Sequence, residues 1–225
     1  EVVVRDSAGM HICQALNETL ARRGIPAQKY ALINDTVATL LGGYGATEPE
    51  AWDGYIGFIL GTGTNCCYTE QVEKIEKLPN SVGHTMVVNI EAGGYGQFPT
   101  GDFDRAVDAR SNNPGEHLYE KMVSGGYFGE IALEMLRSAI VEGLLAGQAP
   151  EVLEMKDICA FLENPGSPTP LMAFCGDPTE KEILYTLLDL LLERAAKMIA
   201  VNLTAILVQG DMGRSPEKPA CIVVE

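Results

Sequence analysis

The sequence predicts an α/β fold in which a mixed sheet is joined to a helical insertion. Strand-like apolar runs cluster before residue 91, whereas helical patterns dominate from about residue 103 to about residue 208. A last strand-like run occupies residues 220–224. The sequence contains no repeat of about 20–50 residues, so it does not resemble a solenoid or a propeller.

The first part of the chain alternates between helix and strand signals. Asp6 can cap a helix that runs to about Arg23, where Gly24 provides a left-handed stop. The short apolar run at residues 29–33 predicts a strand. The next helix is expected over residues 36–41, and the two glycines that follow are expected to end it.

Residues 54–70 hold two strand-like runs joined by a glycine turn, Gly61-Thr62-Gly63-Thr64, which leads into Asn65. The charged residues 71–78 are expected to connect these strands to a further strand at residues 86–90. The turn therefore lies at the end of a strand that is predicted to be buried.

Helical patterns fill most of the region that follows, over residues 103–109, 118–145 and 151–162. The second pattern is interrupted by the glycine pair at positions 125 and 126, and residues 163–170 form a loop rich in proline. Thr179 and Glu182 have the spacing of a capping box, which predicts a helix as far as Val208.

The composition excludes several classes of function. A net charge of −15 over 225 residues argues against binding to nucleic acid or to an anionic membrane surface. No apolar run is long enough to predict a membrane span. Six cysteines without a C-x-x-C pair indicate reduced thiols in a cytoplasmic protein. The sequence starts and stops within strand-like runs, so a fragment of a longer protein is expected.

Asp35 follows a strand-like run and lies in the first turn of a predicted helix. A carboxylate in this position can act as a general base towards an alcohol, because the helix dipole favours its ionised form. The alternative is a helix cap without catalytic function, which the spacing alone favours. Asn34 can either bind a sugar hydroxyl or serve as a turn residue.

The turn at Gly61, Thr62 and Gly63 can present backbone N–H groups to a phosphate, although a simple hairpin turn needs the same residues. Glu91 and Glu120 lie beside glycine-rich breaks, and paired carboxylates recognise polyols through charge-assisted hydrogen bonds. A solvated helix position is the alternative for Glu120. The three histidines have no metal-ligand spacing, so no metal site is predicted.

Several motifs together carry a family resemblance. They are, in chain order, Ile33-Asn-Asp-Thr-Val-Ala-Thr39, Gly61-Thr-Gly-Thr-Asn65, Asn89-Ile-Glu91 with Gly94-x-Gly96-x-Phe98, and Pro114-Gly-x-x-x-Tyr-Glu-Lys-Met122 with Ser124-Gly and Gly129-Glu130. Their order is that of the hexokinase family, and the sequence resembles the eukaryotic-type enzymes more than the short bacterial glucokinases.

The resemblance implies a role for each matched residue. Asp35 resembles the catalytic base for the 6-hydroxyl of a hexose. The residues that resemble the sugar-binding side chains are Asn34, Asn65, Glu91 and Glu120. The residues that resemble the second phosphate-binding turn are Gly61, Thr62 and Gly63. The family fold is the ribonuclease-H-like, actin-type ATPase fold, in which two lobes close over the sugar with Mg-ATP between them.

The sequence also departs from the family pattern. It lacks the first phosphate loop, an Asp-x-Gly-Gly-Thr type hairpin, and the Thr-Lys pair of the small lobe. Met155 and Cys159 stand where many members offer Thr and Ser to the nucleotide. Residues 1–225 are therefore interpreted as the large lobe of a longer chain, truncated at both ends, with a helical insertion at about 103–208 and without the small lobe.

The resemblance predicts a cytoplasmic hexokinase of glycolysis that transfers the γ-phosphoryl group of Mg-ATP to a hexose, with glucose favoured. The isolated fragment is expected to be nearly inactive. One alternative is a sugar sensor that keeps the pocket without catalysis. The residues at positions 155 and 159 favour it, whereas Asp35 and the turn at Gly61–Gly63 count against it. Another is an actin-like ATPase that remodels partners, although such a protein has no reason to keep four sugar-type side chains.

Overall fold

A computed structural model describes residues 9–78, 83–172 and 175–225. The chain divides into two compact units, residues 1–35 and residues 36–225. The predicted cap at Asp6 lies outside the described residues.

The described part of the first unit contains one helix, α1 (Ile12–Arg22). Gly24 has a φ of 71° and ends the helix as predicted. The strand predicted at residues 29–33 is wrong, because these residues have no regular secondary structure. An apolar run becomes a strand only when its backbone pairs with another strand, and none of the described residues pairs with it.

In the part of the second unit that the structure describes, the sheet has four strands, namely β1 (Gly54–Leu60), β2 (Thr64–Gln71), β3 (Thr85–Asn89) and β4 (Ala220–Val224). Their spatial order is β3-β2-β1-β4. The β1–β2 and β2–β3 pairs are antiparallel, whereas β4 runs parallel to β1 with Ile222 opposite Ile56. The sheet is therefore mixed, as the sequence predicted.

Helix α2 (Asp35–Ala46) packs on one face of the sheet. The prediction that it ends at Gly42 and Gly43 is wrong, because the helix continues through both glycines. A Cβ atom at position 43 would collide with the side chain of Val223. Gly43 thus allows the helix to approach β4 closely, and its function is packing rather than helix termination.

Among the described residues, five α-helices follow β3 and share a hydrophobic core with the other face of the sheet, namely α3 (Asp102–Arg110), α4 (Leu118–Val123), α5 (Gly125–Val141), α6 (Met155–Glu163) and α7 (Pro178–Gly210). Because strand residues alternate between faces, Cys66 packs against these helices while its neighbour Cys67 packs beneath α2. The helical insertion is confirmed.

Several helix starts differ from the prediction, and at two of them an acidic side chain caps the observed helix. Helix α6 begins at Met155 rather than at residue 151. In its first turn, Asp157 accepts a hydrogen bond from the backbone N–H of Glu154. Helix α7 is capped by Asp177, whose carboxylate accepts hydrogen bonds from the N–H groups of Thr179 and Glu180. Asp is a strong N-cap residue, and it lies two positions before the predicted capping box.

Helices α3 and α7 are joined by an ion pair between Asp104 and Arg194. The guanidinium donates two hydrogen bonds of 2.8 Å to the buried carboxylate. This bidentate contact fixes α3 on the long helix α7, which packs against β2. In the described ranges, no helix combines the length and the apolar character needed to cross a membrane.

Candidate active site

The glycine turn between β1 and β2 is held by two sets of backbone contacts. Within the turn, the N–H of Gly61 donates to the carbonyl of Gly63 at 2.9 Å. Between the turn and α5, the N–H of Gly125 donates to the carbonyl of Gly61 at 2.8 Å. A Cβ atom on Gly126 would collide with the carbonyl oxygen of Thr62. The turn is therefore seated on the first residues of α5, where helix N–H groups and the positive end of the helix dipole favour an anion.

Asn65 directly follows the glycine turn, and its side-chain amide is the centre of a polar cluster. Its Nδ2 donates to Oε1 of Glu91 and to Oδ1 of Asn89, each at 3.0 Å. Its Oδ1 accepts from the backbone N–H groups of Cys66 at 2.8 Å and Glu91 at 3.0 Å. All hydrogen-bonding atoms of this amide are therefore used, and the side chain has one fixed orientation.

Glu91 is exposed and adopts a left-handed backbone conformation, with φ of 54° and ψ of 43°. This conformation is uncommon for a residue with a side chain and persists where surrounding contacts enforce it. Here the contacts are the hydrogen bond from its N–H to Asn65 and a hydrogen bond from Asn89 to its carboxylate. The short 3-10 helix at Ala92–Gly94 begins directly after it.

Glu120 is half-buried on α4 and contacts the glycine turn. The N–H of Thr64 donates to its Oε2 at 2.9 Å, and a Cβ atom on Gly63 would lie 2.6 Å from the same oxygen. The alternative of a solvated helix position is therefore wrong for Glu120. The structure brings together the predicted residues Asn65, Glu91, Glu120 and the turn at Gly61, Thr62 and Gly63 at one end of the sheet.

Sequence reasoning missed Asn89 as a member of this cluster. Asn89 accepts hydrogen bonds from Asn65 and from the hydroxyl of Thr36 at 3.0 Å, and it donates to Glu91. Its position at the end of β3, two residues before Glu91, is the sequence signal that could have identified it. Thr36 is fully buried.

Sequence reasoning also missed a buried cation that follows Glu120 directly in the chain. Lys121, 2% exposed, donates to Oδ1 of Asp108 at 2.6 Å, to the hydroxyl of Ser111 at 2.9 Å and to the carbonyl of Asn113 at 2.7 Å. The hydrogen bond from Lys121 holds the pKa of the Asp108 carboxyl below its ordinary value. This network fixes the loop that precedes α4.

Asn34 and Asp35 are the last residues of the first unit. Asn34 is exposed and has no regular secondary structure, whereas Asp35 is exposed and begins α2. The helix start predicted at Thr36 is therefore one residue late. As the first residue of a helix, Asp35 lies where the helix dipole favours a negative charge.

The Cys66 thiol and the Tyr119 hydroxyl, which lie near the polar cluster around Asn65, are not activated as nucleophiles. Burial raises the pKa of the Cys66 thiol to about 11, and burial raises the pKa of the Tyr119 hydroxyl to about 12. Both groups are therefore neutral at pH 7. Among the described residues, no group of three or more His, Cys, Asp or Glu side chains could hold a metal ion.

Known proteins share this architecture. The structure of the hexokinase from Schistosoma mansoni complexed with glucose superposes with a TM-score of 0.75 at 23% sequence identity, and the match covers 96% of this chain and 59% of that one. The mixed sheet with helices on both faces is thus the ribonuclease-H-like, actin-type ATPase fold, as the sequence predicted.

Sequence comparison gives the family. A family model described as hexokinase matches residues 55–225. Hexokinase-2, chloroplastic, of Nicotiana tabacum is 41% identical over 174 residues, covering 72% of this chain and 34% of that protein. Hexokinase-1 of Oryza sativa subsp. japonica is 34% identical over 239 residues, covering 94% of this chain and 47% of that protein. The chain belongs to the hexokinase family, and it spans less than half the length of these two relatives.

Proposed function

We propose that this chain is the large lobe of a hexokinase that transfers the γ-phosphoryl group of Mg-ATP to the 6-hydroxyl of a hexose, with glucose as the favoured sugar. The observation that carries the proposal is the position of the Asn65, Asn89 and Glu91 cluster beside Glu120 and the glycine turn. A polar cluster of this kind can hold a sugar, and the neighbouring turn can hold the phosphate that the sugar receives.

Two carboxylates and one amide are proposed to bind the sugar. Glu91 and Glu120 can each accept hydrogen bonds from neighbouring hydroxyls, and such bonds to a charged acceptor are stronger than neutral ones. Asn65 already has a fixed orientation, so binding costs little side-chain entropy, and a sugar hydroxyl would take over one of the hydrogen bonds that its Nδ2 donates to Asn89 and Glu91. From its place in the sequence motif, Asn34 is proposed as a further sugar ligand.

The backbone of Gly61, Thr62 and Gly63 and the start of α5 are proposed to hold the phosphates. The net charge of −15 makes backbone N–H groups the appropriate anion ligands in this chain. When bound, Mg-ATP supplies the phosphoryl group and a cation that neutralises the phosphate charge. The ion would arrive with the nucleotide.

Asp35 is proposed as the general base, from its place in the sequence motif and at the start of α2. Its carboxylate would take the proton of the hexose 6-hydroxyl while that oxygen forms a bond to the γ-phosphorus, and ADP would leave with the electrons of the broken P–O bond. The second lobe would come from the same longer chain, and the protein would act in the cytoplasm as part of glycolysis.

The test of the base uses the longer protein that contains this chain. Asp35→Ala should reduce phosphoryl transfer to glucose by about 10²–10⁴-fold in a coupled assay, because the proton acceptor is lost. The Kd for glucose should change far less. Asp189→Ala, an exposed position on α7, is the matched control and should keep the parent rate. Near-normal turnover in the Asp35 variant would refute the assignment.

A sugar sensor without catalysis is the second candidate, and one observation favours it. Met155 lies beside the start of α5, since a Cβ atom built on Gly125 would be 3.9 Å from the Cβ of Met155. A thioether offers a nucleotide no strong hydrogen bond. Saturable glucose binding by the longer protein, with no ATP turnover at any glucose concentration, would favour this candidate. ATP hydrolysis that is indifferent to hexose would instead indicate an actin-like ATPase.

A further inference from the structure

A cavity of about 570 Å³ lies between the end of β3 and α7. Ile90, Glu91 and Ala92 line it on one side, and Val201, Asn202 and Ala205 line it on the other. Its volume is in the range that proteins use for small organic ligands. Most of these side chains are apolar, so the cavity is suited to a ligand with an apolar body.

Three aromatic rings form one wall of the cavity. Tyr95 meets Phe98 edge-on, with ring centroids 5.3 Å apart, and Phe98 stacks on Tyr119 with centroids 5.0 Å apart. Tyr95 is 49% exposed, whereas Tyr119 is fully buried behind Phe98. An aromatic wall of this kind attracts organic cations through the negative potential of the ring faces.

The charge of the lining also favours a cation. Glu91 lines the cavity, and no Lys, Arg or His is among the described residues that line it. Across residues 9–78, 83–172 and 175–225, no ion pair within 4.0 Å neutralises the Glu91 carboxylate. An anion in the cavity would be repelled by Glu91 and would lose its hydration without compensation.

We propose that this cavity is a binding site for a small organic ammonium ion, whose charge pairs with Glu91 and whose apolar body packs against Tyr95, Phe98 and Ala92. The site is separate from the glycine turn and does not depend on phosphoryl transfer, but it shares Glu91 with the proposed sugar site. Asn202 and Gln97 provide neutral polar groups at its edge. Asn202 is held in place by a hydrogen bond from its Nδ2 to the thiol of Cys66 at 3.5 Å.

Three probes of matched shape test the charge preference, namely benzylamine, benzyl alcohol and benzoate. At pH 7 the first is a cation, the second is neutral and the third is an anion. Calorimetric titration should give a Kd for benzylamine about fivefold lower than that for benzyl alcohol, and benzoate should bind most weakly. Added salt should weaken only the binding of benzylamine. Equal affinity for amine and alcohol, tighter binding of benzoate, or no binding of any probe would overturn the proposal.

Ala92→Phe tests the location, because Ala92 is buried and a larger side chain there would fill the cavity. Benzylamine binding should be lost in this variant and kept in Ala196→Phe, an exposed position on α7 outside the cavity. Tyr95→Leu serves as a second variant should Ala92→Phe fail to fold, and it should weaken the amine more than the alcohol. Unchanged amine binding in the folded variant would contradict the assignment. Hexose binding by the parent chain is measured separately, so that a failure of the proposed function can be distinguished from a failure of the ammonium site.

Discussion

The amide of Asn65 shows how single residues prepare the candidate site. Four hydrogen bonds use both of its polar atoms and connect the ends of β2 and β3. The same contacts hold Glu91 in its left-handed conformation, so the carboxylate is placed before any ligand arrives. Preorganisation of this kind reduces the entropy that a bound sugar would otherwise cost.

The buried thiol of Cys66 and the buried hydroxyl of Tyr119 predict a loss of stability at high pH. The folded chain holds the pKa of Cys66 at about 11 and that of Tyr119 at about 12, whereas their ordinary values are 9.0 and 10.0. Folded-state pKa values above the unfolded ones mean that the stabilisation is complete below about pH 9 and is lost as the pH rises towards 11–12. Urea unfolding should show a falling free energy of unfolding over this window. Cys66→Ala should show a shallower decline, and an unchanged stability up to about pH 11 would contradict the prediction.

At the scale of elements, sequence reasoning succeeded where periodicity and local chemistry agree. The hairpin of β1 and β2 was predicted because alternating apolar residues flank a glycine turn. The strand expected at residues 29–33 failed because pairing is a tertiary property that an apolar run does not contain. Gly43 was misread as a helix stop because its neighbour, Val223, is 180 residues away in sequence.

The candidate site was predicted from sequence only in part. Motif order identified Asn65, Glu91 and Glu120, and the structure brings these three residues together. It did not identify Asn89 or Lys121, because a buried polar side chain is recognised only through its partners. The placement of Asp35 as catalytic base remains a prediction.

The network around Lys121 predicts a large loss of stability when its charge is removed. Lys121→Met should lower the free energy of unfolding by about 3–5 kcal/mol, because Asp108 and two further acceptors lose a buried partner. Urea unfolding at neutral pH measures this effect. Lys197→Met, on an exposed ion pair of α7, is the matched control and should change stability by less than about 1 kcal/mol. Similar losses in the two variants would show that the Lys121 network is not stabilising.

The contact between the glycine turn and α5 predicts a second loss. Gly126→Ala forces a Cβ atom against the carbonyl of Thr62, which is backbone and cannot rotate away. The free energy of unfolding should fall by about 1–3 kcal/mol. Gly94→Ala is the control, because its Cβ atom would meet nothing within 4 Å. A thermal melt in which Gly126→Ala equals the parent would mean that the turn is not seated on α5 as described.

At the scale of the whole molecule, the chain combines a strongly acidic surface with a proposed site for a phosphorylated ligand. A charge of −15 opposes such a ligand at long range, so the binding must depend on local backbone N–H groups and the helix dipole of α5. All six cysteines are free.

The chain spans 34% of the tobacco relative and 47% of the rice relative. On the proposed assignment as a large lobe, the chain lacks the first phosphate loop and part of the sugar site, so we expect these 225 residues to be inactive or nearly so in phosphoryl transfer. The proposed sugar contacts of Asn65, Glu91 and Glu120 should nevertheless remain, since these three residues belong to the second unit.

The most direct test of the central claim is an NMR titration of the chain with glucose, which follows the side-chain amide signals of Asn65 and Asn89. We predict saturable shifts of both signals, and we predict that Glu91→Gln and Glu120→Gln weaken the binding by about tenfold each, whereas the exposed control Glu193→Gln does not. Glucose binding that leaves both amide signals unmoved and is equal in all three variants would contradict the account.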